Sequence, residues 1–455
     1  MSKHSKDGQT WLTKLDRIAE LSKCKKDIVF NNLGHIITIE LLKDCHRELD
    51  GKKAIGIDGV TKAKYDEELD ENLKSLIILI RRGLYNPQAM RMIEIPKEDG
   101  SKRPLAISCY EDKIVQTAIS RILTAIYEPI FLGSSYGYRP GRSAHDAIKA
   151  LHTGVWENMN GALIEIDLCK YFNTIPQEKL LELICSKISD RRFVSLLRRL
   201  MRAPSVEKNG ITKDNLIGVP QGSIISPILS NIFLHHVIDE WIASIAPGGR
   251  ISHFKSRAGV VRFCDDMVFL FEDQNEAKAF FKALPKRLAK FGLEMHEQKS
   301  AIYLSGMKVI RKMALAKCKL PTFKFLGFQF YWGKSRKGYY RLKQKTRADR
   351  MRAKLAGLQE YLRKNLNTPN HMFVLKQVAM VLRGWMEYFS VSDNTPMVWG
   401  FITAIRTLIH RWFNRRGGRK RMTWEKLNPL LAATGLEPKI KIKPLYTISA
   451  KKHNP

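Results

Sequence analysis

The sequence predicts an α+β protein that ends in a helical, strongly basic region. Three apolar runs with strand character, ALIEIDL, VVRFCDDMVFLF and FKFLGFQFYW, are separated by stretches with helical periodicity. Such alternation of strands and helices is typical of α+β and α/β folds. Beyond about Gly338 the pattern becomes helical, and Lys and Arg become frequent.

The elements before the first of these runs can be placed in order. Apolar residues at spacings of three and four predict helices from Trp11 to about Gly83, interrupted by the glycine-containing segment AIGIDGVT. The alternating RMIEIP, the turn signal EDGSKRP and the following LAIS predict a β-hairpin with basic residues at its tip. A helix is expected from Asp112 to Phe131.

The charge balance indicates a polyanionic partner. The 455 residues include 78 Lys and Arg against 44 Asp and Glu, a formal net charge of +34 that is spread over most of the chain. A field of this size attracts nucleic acid and makes association salt-sensitive. A basic but otherwise ordinary surface is the alternative, and a membrane-surface protein is less favoured.

Cysteine usage and hydropathy bear on the compartment. The seven cysteines form no C-x-x-C pair, so we expect reduced thiols rather than a zinc site or a redox motif. No stretch approaches the roughly 20 apolar residues that span a bilayer, and the N-terminus has no apolar signal segment. These features predict a cytoplasmic protein.

Two adjacent aspartates in an apolar run are the first sign of a chemical site. Asp265 and Asp266 interrupt VVRFCDDMVFLF, where ionised carboxylates are costly to bury unless cations compensate them. Side chains alternate along a strand, so the two share a direction only in a turn, and we expect a hairpin here. Asp167 ends the apolar run ALIEIDL and supplies a third carboxylate.

Carboxylates at strand ends and turns can hold two Mg²⁺ ions, or Mn²⁺ in their place, together with substrate phosphates and waters. Two such ions about 4 Å apart can activate a primer 3′-hydroxyl and stabilise the leaving pyrophosphate. Taken singly, each aspartate could be an ordinary turn residue. Glu165 shares a face with Asp167 and need not bind metal.

A basic tract near the C-terminus interleaves cations with aromatic residues. The composition of RTLIHRWFNRRGGRKRMTW suits a phosphate backbone with unstacked bases nearby. An amphipathic helix with solvated cations is the alternative. The candidate RNA-binding residues are Arg411, Arg415, Arg416, Arg419, Lys420 and Arg421.

Taken together, these segments resemble the reverse transcriptases encoded by group II introns. The likeness runs in order through KKAIGIDGVT, RRGLYNPQAMRMIEIPKEDGSKRPLAIS, SSYGYRPGRSAHDAI, ALIEIDLCKYFNTI, GVPQGSIISPILSNIFLH, RFCDDMVF, GLEMHEQKS and FKFLGF. The C-terminal LRGWMEYF and RRGGRKRMTWEKLNPLL are similar to that family's thumb and maturase region.

The resemblance implies a right-hand polymerase of fingers, palm and thumb. It divides the chain into an N-terminal helical extension at 1–83, fingers and palm at 84–335, a thumb at 336–400 and a basic maturase-like region at 401–455. The implied activity is RNA-directed DNA polymerisation with two Mg²⁺ ions. The implied partners are a structured RNA template, a DNA primer or target, and dNTPs, whereas the oligomeric state stays open.

The resemblance also assigns roles around the triphosphate. Asp167, Asp265 and Asp266 match the family's metal-binding aspartates. Lys97 and Arg103 match the finger cations that hold the incoming triphosphate, which agrees with their place on a basic hairpin. Lys299 matches a lysine of the family that lies near the triphosphate and can protonate the leaving group.

Further matches concern the sugar and the primer. Phe172 matches the aromatic steric gate, whose ring excludes a ribose 2′-hydroxyl. Gln221 matches a residue that lines the nucleotide pocket, and Gly222 beside it allows a close backbone approach. Gly327 in FLGF matches the primer-grip turn. The alternative for each of these positions is a structural role, as a surface residue, a core residue or a helix cap.

The chain departs from the family pattern in three places. Phe263 and Cys264 stand where Tyr-Ala commonly precedes the aspartate pair, so chemistry should survive while primer contacts change. The Cys and His pairs of an attached HNH nuclease do not follow the C-terminal motif, so second-strand cleavage is not expected. The segment YLSGMKVIRKMALAKCKLPT also differs from the usual linker, which leaves template-side contacts open.

Three functions are compatible with these features. The first is an intron-encoded enzyme that helps its intron RNA to splice and copies that RNA into DNA. The second is an intron-free, domesticated reverse transcriptase that copies a dedicated noncoding RNA in phage defence or DNA repair. The third is a non-catalytic RNA-binding maturase, which the presence of all three aspartates disfavours.

Overall fold

A computed structural model describes residues 8–25, 27–96, 100, 102–157, 161–207, 210–415 and 421–446. The helices of this part of the chain are α1 (Gly8–Cys24), α2 (Ile39–Glu48), α3 (Lys62–Asp66), α4 (Leu69–Arg82), α5 (Tyr110–Tyr127), α6 (Ala144–Glu157), α7 (Tyr171–Thr174), α8 (Gln177–Cys185), α9 (Arg191–Arg202), α10 (Ser226–Leu234), α11 (Glu240–Ile245), α12 (Gln274–Lys290), α13 (Met307–Leu315), α14 (Ala348–Lys364), α15 (His371–Phe389), α16 (Thr395–Arg415) and α17 (Trp424–Ala433).

The strands form three sheets. They are β1 (Met90–Pro96), β2 (Lys102–Ile107), β3 (Ala162–Ile166), β4 (Ser205–Val206), β5 (Thr212–Lys213), β6 (Ala258–Phe263), β7 (Asp266–Phe271), β8 (Ala301–Leu304), β9 (Thr322–Phe325), β10 (Phe328–Lys334) and β11 (Tyr340–Thr346). The strand orders are β2-β1-β4-β5, β6-β7-β3-β8 and β11-β10-β9. The mixture of helices and strands confirms the predicted α+β class.

The hairpins expected from the sequence are present. RMIEIP and the strand that begins at Lys102 pair antiparallel as β1 and β2, with Ile95 opposite Arg103. The run VVRFCDDMVFLF folds as β6 and β7, again antiparallel. FKFLGFQFYW becomes β9 and β10, joined by the two-residue turn Leu326–Gly327.

One strand contradicts the expectation that the chain is helical beyond about Gly338. β11 pairs antiparallel with β10 along its whole length. Its buried positions include the polar residues Gln344 and Thr346. The alternation of buried and exposed residues along β11 is therefore not visible in the hydropathy of the sequence. Their polar groups are satisfied by hydrogen bonds, because Gln344 contacts His152 at 2.6 Å and Thr346 contacts Asn394 at 2.7 Å.

The chain divides into two compact units. The first comprises residues 1–147 and 166–302, and the second comprises residues 148–165 and 303–455. In the first unit, α5 is the central helix, because Ile114, Ala118 and Ile122 are fully buried and α1 and α2 pack against it. In the second unit, α14 and α15 both pack against α16. No helix among the described residues is long and apolar enough to cross a bilayer.

A buried carboxyl group lies at the start of α5. Asp112 is 2% exposed and accepts hydrogen bonds from the Tyr85 hydroxyl and from the Gln88 backbone N–H, the latter at 3.2 Å. Burial raises the pKa of Asp112 to about 6, although these hydrogen bonds oppose the rise. The folded chain therefore binds this proton more tightly than the unfolded chain does.

Folding stability should therefore carry a pH-dependent term from Asp112. A carboxyl pKa raised on folding stabilises the protein fully below about pH 4, and this contribution is lost as the pH rises through about 6. The loss amounts to ~3 kcal/mol. Asp112→Asn cannot ionise, so the stability of the wild type relative to this variant should fall by about 2 kcal/mol between pH 4 and pH 7, where most of this loss occurs.

The measurement is urea denaturation of both proteins across this range. Asp27→Asn, at an exposed aspartate, is the matched control and should track the wild type at every pH. A constant difference between the wild type and Asp112→Asn would contradict the proton linkage.

Candidate active site

The β6–β7 hairpin carries two of the three predicted aspartates. Phe263 and Asp266 are the last paired residues, so the turn consists of Cys264 and Asp265. Cys264 has a φ of 58°, the left-handed conformation that such a tight turn requires. The hairpin predicted from the sequence is confirmed, and it presents Asp265 from the turn and Asp266 from the first position of β7.

The third aspartate follows β3, the strand beside β7 in the same sheet. The Asp167 backbone N–H donates to Ser300 Oγ at 3.2 Å, and its carbonyl accepts from the His296 N–H at 2.8 Å. Lys299 lies on the same segment, with its Nζ 3.4 Å from Asp167 Oδ2. The backbone around residues 296–300 thus fixes Asp167 and brings a cation to its carboxylate.

The electrostatics of Asp265 show that the carboxylates interact. Burial raises the pKa of Asp265, the negative charge of Asp167 adds to the rise, and the positive charge of Arg103 opposes it. Neighbouring carboxylates that disfavour each other's ionisation form a site where a cation is stabilised. Lys299 already supplies one positive charge at Asp167.

The donor set suits a hard divalent cation. Within the described ranges, no group of three or more His, Cys, Asp or Glu side chains is placed to hold a metal ion. Mg²⁺ in polymerases is bound by one or two carboxylates together with substrate phosphates and waters, rather than by a closed protein cage. Asp167 and Asp265 are oxygen donors of the kind that Mg²⁺ prefers, and the substrate would have to supply further ligands.

The predicted sugar gate and pocket residue are joined through the backbone. Phe172 lies in α7, its ring 5.4 Å from that of Tyr171, and its carbonyl accepts from the Val219 N–H at 2.7 Å. Two residues later, the Gln221 carbonyl accepts from the Ala106 N–H of β2 at 2.6 Å. The segment around Gln221 therefore connects α7 with the β1–β2 hairpin.

Gly222 lies close to the backbone of β2. Its φ is 103°, and an added Cβ would lie 2.7 Å from the carbonyl oxygen of Ala106. Arg103, farther along the same strand, is exposed and within electrostatic reach of Asp265. Lys97 lies outside the described residues.

The comparison with known families agrees with this geometry. Residues 95–330 match the reverse transcriptase (RNA-dependent DNA polymerase) family. The chain belongs to this family. The matched segment contains every candidate residue from Lys97 to Gly327.

Curated relatives of this reverse transcriptase include intron proteins, one of them a group II intron-encoded protein. It is 35% identical over 239 residues to the uncharacterized 91 kDa protein in the cob intron of Schizosaccharomyces pombe, covering 51% of this chain and 29% of the relative. It is 38% identical over 188 residues to protein YkfC of Escherichia coli K12, covering 41% and 49%. It is 32% identical over 235 residues to the group II intron-encoded protein LtrA of Lactococcus lactis subsp. cremoris, covering 51% and 38%. The chain spans less than half the length of each of these three relatives.

The remaining candidates of this reverse transcriptase lie in the second unit. Gly327 forms the β9–β10 turn with Leu326, whose carbonyl accepts from the Tyr388 hydroxyl at 2.8 Å. Arg411 and Arg415 are exposed on α16, and Arg421 is exposed before α17. The other predicted RNA-binding residues lie outside the described part of the chain, namely Arg416, Arg419 and Lys420.

A buried ion pair behind the hairpin was missed from the sequence. The side chains of Arg262 and Asp239 are both 0% exposed, with Nη2 and Oδ2 2.5 Å apart. Burial opposes ionisation of Asp239, but the charge of Arg262 outweighs it and holds the pKa of Asp239 below its usual range. Arg262 also donates to Asn231 Oδ1 at 3.0 Å and to the Cys264 carbonyl at 3.2 Å. The sequence holds one indication of this ion pair, because Arg262 is the only cation in the apolar run VVRFCDDMVFLF.

Removal of Arg262 should therefore destabilise the reverse transcriptase severely. Arg262→Met leaves the Asp239 carboxylate buried without a partner, which typically costs about 3–5 kcal/mol. Replacing both partners, as Arg262→Met with Asp239→Leu, removes the uncompensated charge and should recover part of that loss. The measurement is the free energy of unfolding in urea.

Arg257→Met is the matched control, because Arg257 makes an exposed ion pair with Glu272 near the same hairpin. It should cost less than about 1 kcal/mol. Equal losses in the Arg262→Met single variant and the double variant would show that the buried charge is not the cause.

Proposed function

We propose that this protein is an RNA-directed DNA polymerase of the group II intron type, which binds its intron RNA, aids splicing and copies the RNA into DNA. The observation that carries the proposal is the electrostatic interaction of Asp167 and Arg103 with Asp265 in the β6–β7 turn, within a segment that matches the reverse transcriptase family. The intron-encoded relatives, LtrA among them, support the intron type.

The proposed architecture is a right hand. Fingers and palm at 84–335 would contain the β1–β2 hairpin and the sheet that carries the aspartates. The thumb would follow at 336–400, the maturase-like region at 401–455 and the helical extension at 1–83. In this arrangement the fingers hairpin delivers cations to the incoming nucleotide, and the palm sheet holds the acidic turn.

Asp167, Asp265 and Asp266 would hold two Mg²⁺ ions. When bound, these ions would activate the primer 3′-hydroxyl and stabilise the charge on the leaving pyrophosphate. The interaction between the Asp265 and Asp167 carboxylates supports this assignment, because their repulsion is relieved by a positive charge between them.

The other side chains would bind and orient the nucleotide. Arg103 would contact the triphosphate, since a guanidinium forms paired hydrogen bonds with phosphate oxygens. Lys299, which stands against Asp167, would contact the same phosphates and can transfer a proton to the leaving group. The Phe172 ring would exclude a 2′-hydroxyl, and Gln221 would line the pocket beside it.

Loss of the acidic pair should abolish polymerisation but not RNA binding. Asp265→Ala with Asp266→Ala removes two of the three carboxylates, and we expect primer extension on an RNA template to fall by at least about 1,000-fold. Affinity for the template, measured by fluorescence anisotropy, should remain within about threefold of the wild type, because phosphate contacts dominate affinity.

Asp27→Ala with Asp50→Ala, at two exposed aspartates, matches the change in charge and should extend primers normally. Retained extension by the Asp265→Ala, Asp266→Ala variant would refute the metal assignment. A wild type that binds RNA but extends no primer would favour a non-catalytic maturase.

The basic C-terminal tract should contribute to RNA affinity through phosphate contacts. Replacement of the exposed Arg411, Arg415 and Arg421 by Gln removes three charges without shortening α16. Each lost phosphate contact flattens the plot of log affinity against log salt by about 0.7–0.9. We therefore expect a slope reduced by about 2 in filter binding of a structured RNA.

The control is a triple replacement of Lys74, Arg81 and Arg82 by Gln, which makes the same change in charge on α4. An equal loss of slope in both triple variants would show that net charge, and not the C-terminal tract, sets the salt dependence.

A further inference from the structure

Tyr138 is an exposed aromatic residue in an unfavourable backbone conformation. It is 60% exposed, and its φ is 55°, in the left-handed region. For a residue with a bulky side chain this conformation costs roughly 1–2 kcal/mol. Surrounding contacts must therefore hold it, and such strained residues cluster at functional sites.

The neighbours of Tyr138 supply these contacts. An added Cβ at Gly137 would lie 2.5 Å from the backbone nitrogen of Cys264, so this segment touches the turn that carries the aspartates. The Gly137 carbonyl accepts from Asn231 Nδ2 at 2.7 Å. On the other side, the Arg139 side chain is 3% exposed and pairs with Glu128 at 2.8 Å. Tyr138 is thus fixed between two anchored residues.

The Tyr138 side chain lies at the acidic turn. Its ring centroid is 6.2 Å from that of Phe263, the residue that precedes the turn. Its phenol is within electrostatic reach of Asp265, Asp266 and Arg103. Tyr138 therefore lies close to the turn that carries the carboxylates.

We propose that the Tyr138 hydroxyl hydrogen-bonds the sugar–phosphate backbone at the growing end of the DNA, beside the turn that carries Asp265 and Asp266. This inference rests on the proposed polymerase function. The ligand is the primer terminus or the incoming dNTP, which share this chemistry. A ring that adjoins Phe263 can supply a hydroxyl beside the same turn.

The electrostatics support a donor at this position. Partial burial, together with the neighbouring Cys264 and Asp265, raises the pKa of Tyr138, so its phenol keeps its proton at neutral pH. A neutral phenol can donate to a phosphate or sugar oxygen without adding negative charge beside the carboxylates. The exposed fraction of the side chain leaves it accessible to a nucleic-acid strand.

Tyr138→Phe tests this role, because it removes one oxygen and keeps the ring that packs on Phe263. A hydrogen bond to a charged group is worth about tenfold or more in binding. We expect kcat/KM for primer extension to fall by about tenfold, with an unchanged unfolding midpoint in urea. A rise in the KM for dNTP identifies the nucleotide as the ligand, and a rise in the Kd for primer–template identifies the primer end.

The reciprocal change provides a rescue. Phe263→Tyr placed in the Tyr138→Phe background returns a hydroxyl to the turn and should restore at least half of the lost kcat/KM. A purely structural role of the Tyr138 ring would not produce this recovery. Tyr339→Phe is the matched control, since Tyr339 is 66% exposed, and it should extend primers like the wild type.

Two results would overturn the inference. An active wild type and a Tyr138→Phe variant with equal kcat/KM would overturn it alone, and the proposed polymerase function would stand. A wild type that extends no primer on RNA or DNA templates would overturn the polymerase function and this role of Tyr138 together.

Discussion

The ion pair between Arg262 and Asp239 is the constraint on which the acidic turn depends. Both side chains are fully buried, so the pair must form whenever the hairpin is folded. The Arg262 guanidinium uses its remaining donors on Asn231, on Ser135 Oγ and on the Cys264 carbonyl, and this last bond links the ion pair directly to the turn. Each charge can be buried only beside its partner, so Arg262 must lie against Asp239. This requirement fixes the position of β6 and therefore the position of the aspartates that follow it.

Three segments that are distant in the sequence converge on this turn. Residues 134–136 pair with Arg262 through two backbone hydrogen bonds, in which Ser134 accepts at 2.9 Å and Tyr136 donates at 2.8 Å. Ser230 of α10 contacts the Cys264 sulfur at 3.2 Å. Tyr171, beside Phe172, donates to the Ser230 carbonyl at 2.8 Å. The predicted sugar gate and the aspartates are thus held by one connected set of buried groups.

Local patterns predicted much of the fold but few of these long-range contacts. The hairpins were predictable because alternation, turn residues and the adjacent Asp265 and Asp266 are close together in the sequence. β11 was missed because its buried residues Gln344 and Thr346 are polar, so the strand lacks an alternation of apolar and polar residues. Hydrogen bonds, such as that of Thr346 with Asn394, satisfy their polar groups in the interior. Tyr138 could not be identified, since its role follows from a backbone angle and from a neighbour more than a hundred residues away. The metal and RNA-binding roles remain predictions from the sequence pattern and the resemblance, and the pocket roles remain predictions from the resemblance alone.

The backbone of Cys264 limits how this enzyme can evolve. A residue that is 3% exposed, has a φ of 58° and contacts Ser230 leaves room for a small, unbranched side chain. Valine, isoleucine or threonine would combine a branched Cβ with a left-handed backbone, which is strongly disfavoured. Alanine and cysteine both satisfy the restriction, whereas the neighbouring aromatic position is free of it. Position 264 is therefore restricted by its backbone angle and by the lack of space around it.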